Sequence, residues 1–283
     1  MMSDEGGRMN ESPDEIIQIM GRIYGRDISL YEQSFLMKSI DRRLAETGLR
    51  TYEAYAGLLS ENIPEALALF QSLNINYSEF FRNALTFAVL EQIVLPCLVE
   101  AREKTGRAEI RIWSAGCAAG QEAYSVAILL DELAAARGKA VLCRIFATDT
   151  NASELAAAQK GVFEASAVKN VRLKHLRTAF IQQGELFTLA SRIRNQVDFS
   201  DYDLLDGDTT CPAASIFGDF DLVLCANLLF YYRPNVRESI LKKLHHCLKD
   251  NGYLVTGEAE RMIVRQISGF RPVAPPSAIF QKK

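Results

Sequence analysis

The chain predicts an α/β fold, a mostly parallel sheet covered by helices, preceded by a small N-terminal all-helical domain. Three observations carry this. Up to about residue 73 the apolar residues recur at helical spacing and nothing alternates like a strand. From Arg107 onward, short β-type runs alternate with helical stretches, the pattern of a parallel sheet with helices on both faces. Several of those runs end in small or acidic residues, at the strand ends where such sheets hold ligands. Hydrophobic residues make up 48% of the 283, enough to build a core without disulfides or metals.

Residues 1–11 are polar and lack an apolar h-region, which predicts a disordered tail and no signal peptide. Residues 12–73 predict the helical domain. Ser12-Pro13-Asp14-Glu15 reads as a helix start, with serine as cap, proline in the first turn and glutamate completing a capping box. Ile16, Ile17, Met20 and Ile23 follow at helical spacing. A second helix is expected over about Leu30 to Thr47, with Phe35, Leu36, Ile40 and Leu44 on one face and Gly48 as its stop. Thr51 opens a third helix and Pro64 a fourth, which ends near Leu73.

Residues 74–283 predict the second domain. Its strands are AEIRIWSAG, VLCRIFATD, QVDFSDYDLL, FDLVLCANLLF and NGYLVTGEAE, with helices over Gln121 to Arg137, Ala152 to Gly161 and Val236 to Leu248. Residues 178–198 interrupt this order with FTLASRIRNQVDF, which predicts a small β-subdomain.

The balance of 32 Lys and Arg against 35 Asp and Glu, net −3, argues against general binding to nucleic acid or an anionic membrane. No apolar stretch approaches the roughly 20 residues that span a bilayer. The six cysteines form no CxxC and sit mostly in apolar runs, and His245 and His246 are adjacent. No metal site is therefore expected, and the thiols suit a reducing compartment. Together these features predict a soluble, cytoplasmic protein.

Chemistry concentrates at five places. Ser114-Ala115-Gly116-Cys117-Ala118-Ala119-Gly120-Gln121-Glu122 follows the first strand, and its small residues let backbone approach a ligand. The same pattern is also an ordinary way to turn from strand to helix. Asp149 ends the next strand, where a carboxylate accepts hydrogen bonds from both hydroxyls of a ribose. Asp203 ends the third, placed to meet an adenine amino group. Neither a full glycine fingerprint nor a Walker lysine accompanies them, so a cationic sulfonium ligand suits the pair better than a pyrophosphate. A turn or cap role is the bland alternative for each aspartate. The fourth strand runs into Ala226-Asn227-Leu228-Leu229-Phe230-Tyr231-Tyr232, an active-site lip in which Phe230 and Tyr232 are assigned to packing and Tyr231 to function. Asn74-Ile75-Asn76-Tyr77-Ser78-Glu79-Phe80-Phe81-Arg82 joins the two domains, and reads either as a functional junction or as a helix start capped by Ser78.

Taken together and in order, NYSEFFR, RIWSAGCAAGQEAYS, ATD, DLL, FDLVLCANLLFYY and NGYLVTGEAE resemble the CheR family, the S-adenosylmethionine-dependent methyltransferases of bacterial chemoreceptors. That family shows N-x-T-x-FFR, RIWSAGCSTGEEPYS, ATD, NLL, FDLIFCRNVLIYF and GGYL-x-x-GxSE. The similarity runs from about Ile16 to the terminal AIFQKK. It implies a Rossmann-like class I methyltransferase sheet with a helical domain ahead of it and a β-subdomain within it. It also implies S-adenosyl-L-methionine as cofactor, S-adenosyl-L-homocysteine as product, and transfer of methyl to glutamates on the cytoplasmic helices of methyl-accepting chemoreceptors. A monomer without nucleic-acid partners or membrane insertion is expected.

Carried over by position, Asn76, Ser78 and Arg82 border the cofactor, with Arg82 near the methyl group. Gly116 belongs to the glycine turn, Glu122 lies near the methionine moiety, and Asp149 holds the ribose. Asp203 and Leu204 flank adenine, Ala226 and Asn227 line the pocket, and Tyr231 reaches the reaction centre. Arg82 and Tyr231 are the catalytic pair. Lys38, Arg42 and Arg43 on the second helix are the substrate-docking set, diluted by Asp41 and Glu46.

The departures are specific. Ala226 stands where the family usually has arginine, Gln121 where it has the first glutamate of GEE, and Ala123 where it has proline. Glu258 and Ala259 replace a small-polar pair before Glu260. Losing one cationic contact weakens cofactor binding by roughly 1–3 kcal/mol. The loop near Gln182 to Glu185 is short, which argues against tethering by a receptor's C-terminal peptide. Two other readings stand beside this one: a cofactor-binding regulatory protein without turnover, and a methyltransferase for a small molecule or another protein. A dehydrogenase is disfavoured by the loop spacing.

Overall fold

The computed structural model describes residues 12–74, 77–106, 109–215 and 218–283. The expected tail over 1–11 and the candidate Asn76 lie outside the described residues. The chain divides into two compact units. One comprises Met1–Ile75 and Phe230–Val236, and the other Asn76–Leu229 and Arg237–Lys283.

The helical unit contains α1 (Asp14–Tyr24), α2 (Gln33–Thr47), α3 (Tyr52–Glu61) and α4 (Ile63–Ser72). Its core is Ile16, Met20, Leu36, Ile40, Tyr55, Leu59 and Leu69, with their neighbours. Thr51 caps α3, Asn62 caps α4, and Gly48 stops α2 in the left-handed conformation.

Three details differ from the sequence reading. Ser12 does not cap α1: its hydroxyl donates to Asp14 at 2.5 Å, and Pro13 takes the cap position without a side-chain bond. Ile19, not Ile23, completes the buried face of α1, because Ile23 lies in the final turn and is 45% exposed. The second helix begins at Gln33, where the Glu32 carboxylate accepts the N–H groups of Ser34 and Phe35. Just before it, Tyr31 forms an antiparallel bridge to Tyr232.

In the second unit, α5 (Ala84–Val89), a π turn (Leu90–Val94) and α6 (Leu95–Thr105) precede the sheet. Ala84–Lys104 is long and apolar enough to cross a membrane by length and composition. That corrects the expectation that no stretch approaches this length. The run buries Phe87, Leu90, Val94, Leu95, Leu98 and Val99 in the core of the α/β unit, which accounts for its apolar character.

The strands of the main sheet are β1 (Ile110–Ala115), β2 (Cys143–Asp149), β6 (Val197–Asp201), β7 (Phe220–Cys225), β8 (Leu248–Thr256), β9 (Phe270–Val273) and β10 (Ile279–Lys282). Between them run α7 (Gln121–Arg137), α8 (Ala152–Lys160), α10 (Ser191–Arg194), α11 (Pro234–Cys247) and α12 (Arg261–Arg265). The spatial order is β6-β2-β1-β7-β8-β10-β9. The first five are parallel, and β10 runs antiparallel to both of its neighbours. This is a doubly wound α/β fold with a mixed sheet, as the sequence predicts. The chain winds outward from β1 to β2 and β6, then restarts on the other side with β7 and β8. The switch point therefore falls between β1 and β7.

A separate three-stranded antiparallel sheet is ordered β3-β5-β4, from β3 (Val162–Glu164), β4 (Phe180–Gln183) and β5 (Leu186–Leu189), with α9 (Leu173–Ala179) before β4. Its composition differs in detail from the expected excursion. β3 joins it from upstream, Ser191–Arg194 is helical, and Val197 and Asp198 pair with β2 in the main sheet.

Candidate functional site

The loops after β1 and β7 both open at the switch point, and they carry Gly116, Ala226 and Asn227. After β1 the backbone turns through positive φ three times, at Gly116 (74°), Ala118 (44°) and Gly120 (84°). Gly120 has no alternative: a Cβ there would lie 2.9 Å from the Phe199 ring and 3.0 Å from Ala158. The turn is pinned to β2, because Gly116 and Cys117 both donate to the Thr148 carbonyl, at 2.8 and 2.9 Å.

Asp149 completes this pinning. Its Oδ2 accepts the Ala118 N–H at 2.8 Å and its Oδ1 the Asn151 N–H at 2.9 Å. Ala118 is an L-residue at positive φ, a conformation that costs of order 1–3 kcal/mol and that this carboxylate helps to hold. Each oxygen retains a lone pair for a further donor. Asp149 is aligned with Asp201 at the carboxyl end of β6. The Asp203 reading is refined here: β6 ends at Asp201, and Asp203 sits exposed in the following loop, its Oδ1 accepting the Leu205 N–H at 2.8 Å.

Glu122, in the first turn of α7, accepts the Ser114 hydroxyl at 2.8 Å. Burial pushes its carboxyl up to about 7; the Ser114 hydrogen bond and the charge of Arg82 oppose this, and the charge of Glu260 adds to it. Gln121 beside it is 8% exposed, and its Oε1 makes no hydrogen bond.

Past β7, Ala226 and Asn227 are half-buried, and Asn227 adopts φ 61°. Sequence reasoning did not assign the residue that holds them. The fully buried Glu260 accepts the N–H groups of Asn227 at 2.9 Å, Leu229 at 2.6 Å and Gly257 at 2.7 Å. A Cβ at Gly257 would lie 2.5 Å from the Asn227 side-chain Nδ2, so the two loops meet with no room for a side chain. The signal was present as Gly257-Glu258-Ala259-Glu260, a cap with glutamate three positions on. Ser114, eight residues before its partner Glu122, gave no comparable signal.

The junction segment is not a helix capped by Ser78, since α5 begins only at Ala84. Phe81 (φ 51°) and Asn83 (φ 64°) give it a sharp path. Phe80 is buried against Phe163 and Phe180, with ring centroids 4.8 and 5.5 Å away. The Phe81 N–H donates to Ser125 Oγ at 2.9 Å, and its ring stacks on His175. These anchors leave Arg82 half-buried between them and α5, its guanidinium 5.0 Å from the Tyr77 ring centroid. A cavity of about 280 Å³ opens beside Arg82, lined also by Glu79, Phe81, Phe87 and Arg172.

Leu204 lies in the loop after β6, and the remaining candidates belong to the helical unit. The Tyr231 ring packs edge-on against Phe35 at 4.8 Å, and its carbonyl accepts the Glu32 N–H at 2.7 Å. On α2, Lys38 and Arg42 are exposed, and Arg42 donates to the Ser72 carbonyl at 3.1 Å. Arg43 is committed internally. It donates twice to Glu65, at 2.9 and 2.6 Å, and bonds Glu46, while the Tyr55 hydroxyl also donates to Glu65 at 2.7 Å.

The donor set favours one ligand type. A carboxylate at the end of β2 and another in the first turn of α7, with the Gly116–Gly120 turn beside them, match a ribose and a cationic amino-acid end, whereas no lysine lies in the turn to meet a pyrophosphate. Comparison with known proteins agrees. Residues 14–73 match the all-alpha domain of CheR methyltransferases, and residues 76–276 match their SAM-binding domain. A chemotaxis protein methyltransferase of Salmonella typhimurium is 29% identical over 262 residues, covering 89% of this chain and 85% of its own. One from Borreliella burgdorferi is 28% identical and covers 89% of both chains. An uncharacterised 104.1 kDa protein of Rhodobacter capsulatus is 29% identical over 249 residues, of which this chain spans 25%. With both of its parts matched in order across most of its length, the chain belongs to the CheR methyltransferase family and carries that family's S-adenosylmethionine-binding domain.

Proposed function

We propose that the protein transfers the methyl group of S-adenosylmethionine to glutamate side chains on the cytoplasmic helices of methyl-accepting chemoreceptors, leaving glutamate methyl esters. The observation that carries this reading is the acidic switch point beside Arg82, in a chain whose named relatives are chemotaxis protein methyltransferases.

S-adenosylmethionine supplies an electrophilic methyl group on a sulfonium. The residues of this chain hold and orient. Asp149 takes the ribose hydroxyls with the lone pairs left after Ala118 and Asn151. Glu122 faces the amino group, Asp203 and Leu204 flank adenine, and Gly116, Ala226 and Asn227 line the pocket. Asn76, Ser78 and Arg82 border it. The acceptor needs no strong base, because a glutamate with an ordinary pKa near 4.3 is already an anion at neutral pH. What it needs is alignment and loss of water, where a fixed near-attack geometry supplies much of the rate. Arg82 and Tyr231 orient that carboxylate by hydrogen bonds. Lys38 and Arg42 meet an acidic helical surface, with Arg43 contributing less because its guanidinium is already occupied by Glu65.

The test is incubation of the purified protein with methyl-labelled S-adenosylmethionine and chemoreceptor cytoplasmic fragments. The expected product is protein-bound label released as methanol by mild base, lowered at least tenfold in Arg82→Ala at saturating cofactor. An unchanged Arg82→Ala rate removes that residue from the reaction. Ala226 favours a second reading, a regulatory protein that binds the cofactor without turnover. Tight cofactor binding with no labelled acceptor would select it.

A further inference from the structure

Glu260 lies outside the residues just assigned, yet its carboxylate joins the two loops on the β7 side of the switch point. It is fully buried and collects three backbone N–H groups, from Asn227, Leu229 and Gly257, all within 2.9 Å. These donors belong to different strand ends, β7 and β8, so a single side chain sets the spacing between the loops. The Asn227 side-chain Nδ2 lies 2.5 Å from where a Gly257 Cβ would be, and Asn227 itself is held at φ 61°. Strain of this kind persists where the surroundings over-determine it.

We propose that Glu260 is a positioning residue of the cofactor site, holding the Asn227–Leu229 and Gly257 backbones in the arrangement that receives the amino-acid end of S-adenosylmethionine. The inference rests on the cofactor reading above. Glu260 acts through these loops and through its charge. Glu122 faces Ser114 by hydrogen bond and feels Glu260 and Arg82; the thiols of Cys117 and Cys225 feel its charge in turn. The charge of Glu260 makes a second negative charge on Glu122 harder to form. The ligand's ammonium reverses that, so affinity falls when Glu122 takes up a proton. Glu260 thus sets the spacing of the loops and adds to the burial that favours a protonated Glu122. A residue serving stability alone would shift neither binding nor its pH dependence in the folded protein.

Calorimetric titration with S-adenosylmethionine and S-adenosylhomocysteine between pH 5.5 and 8.5 tests this on the wild type, Glu260→Gln and Glu260→Asp, with folding checked by circular dichroism. The wild type is expected to bind both ligands, more weakly below an inflection near 7. Glu260→Gln is expected to weaken both at least tenfold at pH 8 and to move the inflection to lower pH. Glu260→Asp, which keeps the charge, is expected to keep the inflection while losing at least fivefold in affinity. Wild-type affinity and inflection in folded Glu260→Gln would overturn the proposal and leave the cofactor reading intact. If Glu260→Gln does not fold, Glu260→Asp decides: wild-type binding by that variant overturns it. Failure of the wild type to bind either ligand would instead sink the cofactor reading itself.

Discussion

Two glutamates, one in each unit, behave in opposite ways. Glu65 in the helical unit is 8% exposed. Burial alone would raise its carboxyl, but hydrogen bonds from Arg43 and Tyr55 hold it below the usual range. Glu122 in the α/β unit has the Ser114 hydroxyl as its one hydrogen-bond donor among the described residues, and burial raises it to about 7. The first charge is neutralised from within the fold, while the second is left for something to complete. That contrast separates a carboxylate paired within the fold from the one proposed to meet the cofactor. Within the helical unit Arg43 is the partner that holds Glu65 down.

The contrast can be broken from the binding side first. Asp149→Ala removes the acceptor that holds Ala118 at positive φ as well as the proposed ribose ligand. It should raise the dissociation constant for S-adenosylmethionine at least a hundredfold by calorimetry, with the far-ultraviolet circular dichroism retained. The structural side is next. Arg43→Ala leaves Glu65 half-paired and should destabilise the helical unit by about 2–3 kcal/mol in denaturant unfolding, less than the roughly 3–5 found for fully buried pairs because Arg43 is partly exposed. Cofactor affinity should not change.

The pH dependence of stability is the third way to sharpen the comparison, and the two carboxyls have opposite signs. Between its ordinary 4.5 and about 7, folded Glu122 keeps a proton that the unfolded chain has lost, so its contribution to stability falls as pH rises through that window. Glu65, held down, contributes stability above its unfolded value that is lost as pH falls. Glu122→Gln should flatten the first slope in ligand-free thermal unfolding between pH 5 and 7 and leave the second. The smallest effect is expected from Lys38→Ala with Arg42→Ala: a few-fold rise in KM for the receptor fragment, without a change in kcat or cofactor affinity.

Much of this was readable before the structure. The strands carrying the site announce themselves as apolar runs ending in ATD or LCAN, and α7 was bounded by Gln121 and Arg137 as found. Thr51 and Gly48 declared helix ends through chemistry that acts within a few residues. What was missed depends on distance. Arg43 and Glu65 are 22 residues apart, so no local pattern pairs them. Glu260 reaches 33 residues back to Asn227, and its local capping signature did not reveal that second use. The positive φ of Phe81 and Asn83 was hidden because neither residue is glycine. The helices α5 and α6 were unassigned because Ala84 to Thr105 reads as an apolar run without a clean amphipathic face, being buried along much of its length.

The most direct test of the claim that Glu122 is left for a ligand to complete is proton release. Binding of S-adenosylmethionine at pH 7 would be followed calorimetrically in two buffers of different ionisation enthalpy. Loss of a fraction of a proton from the wild type, absent in Glu122→Gln, is the predicted result. Binding with no difference between buffers would contradict it, and would mean that Glu122 is as structural as Glu65.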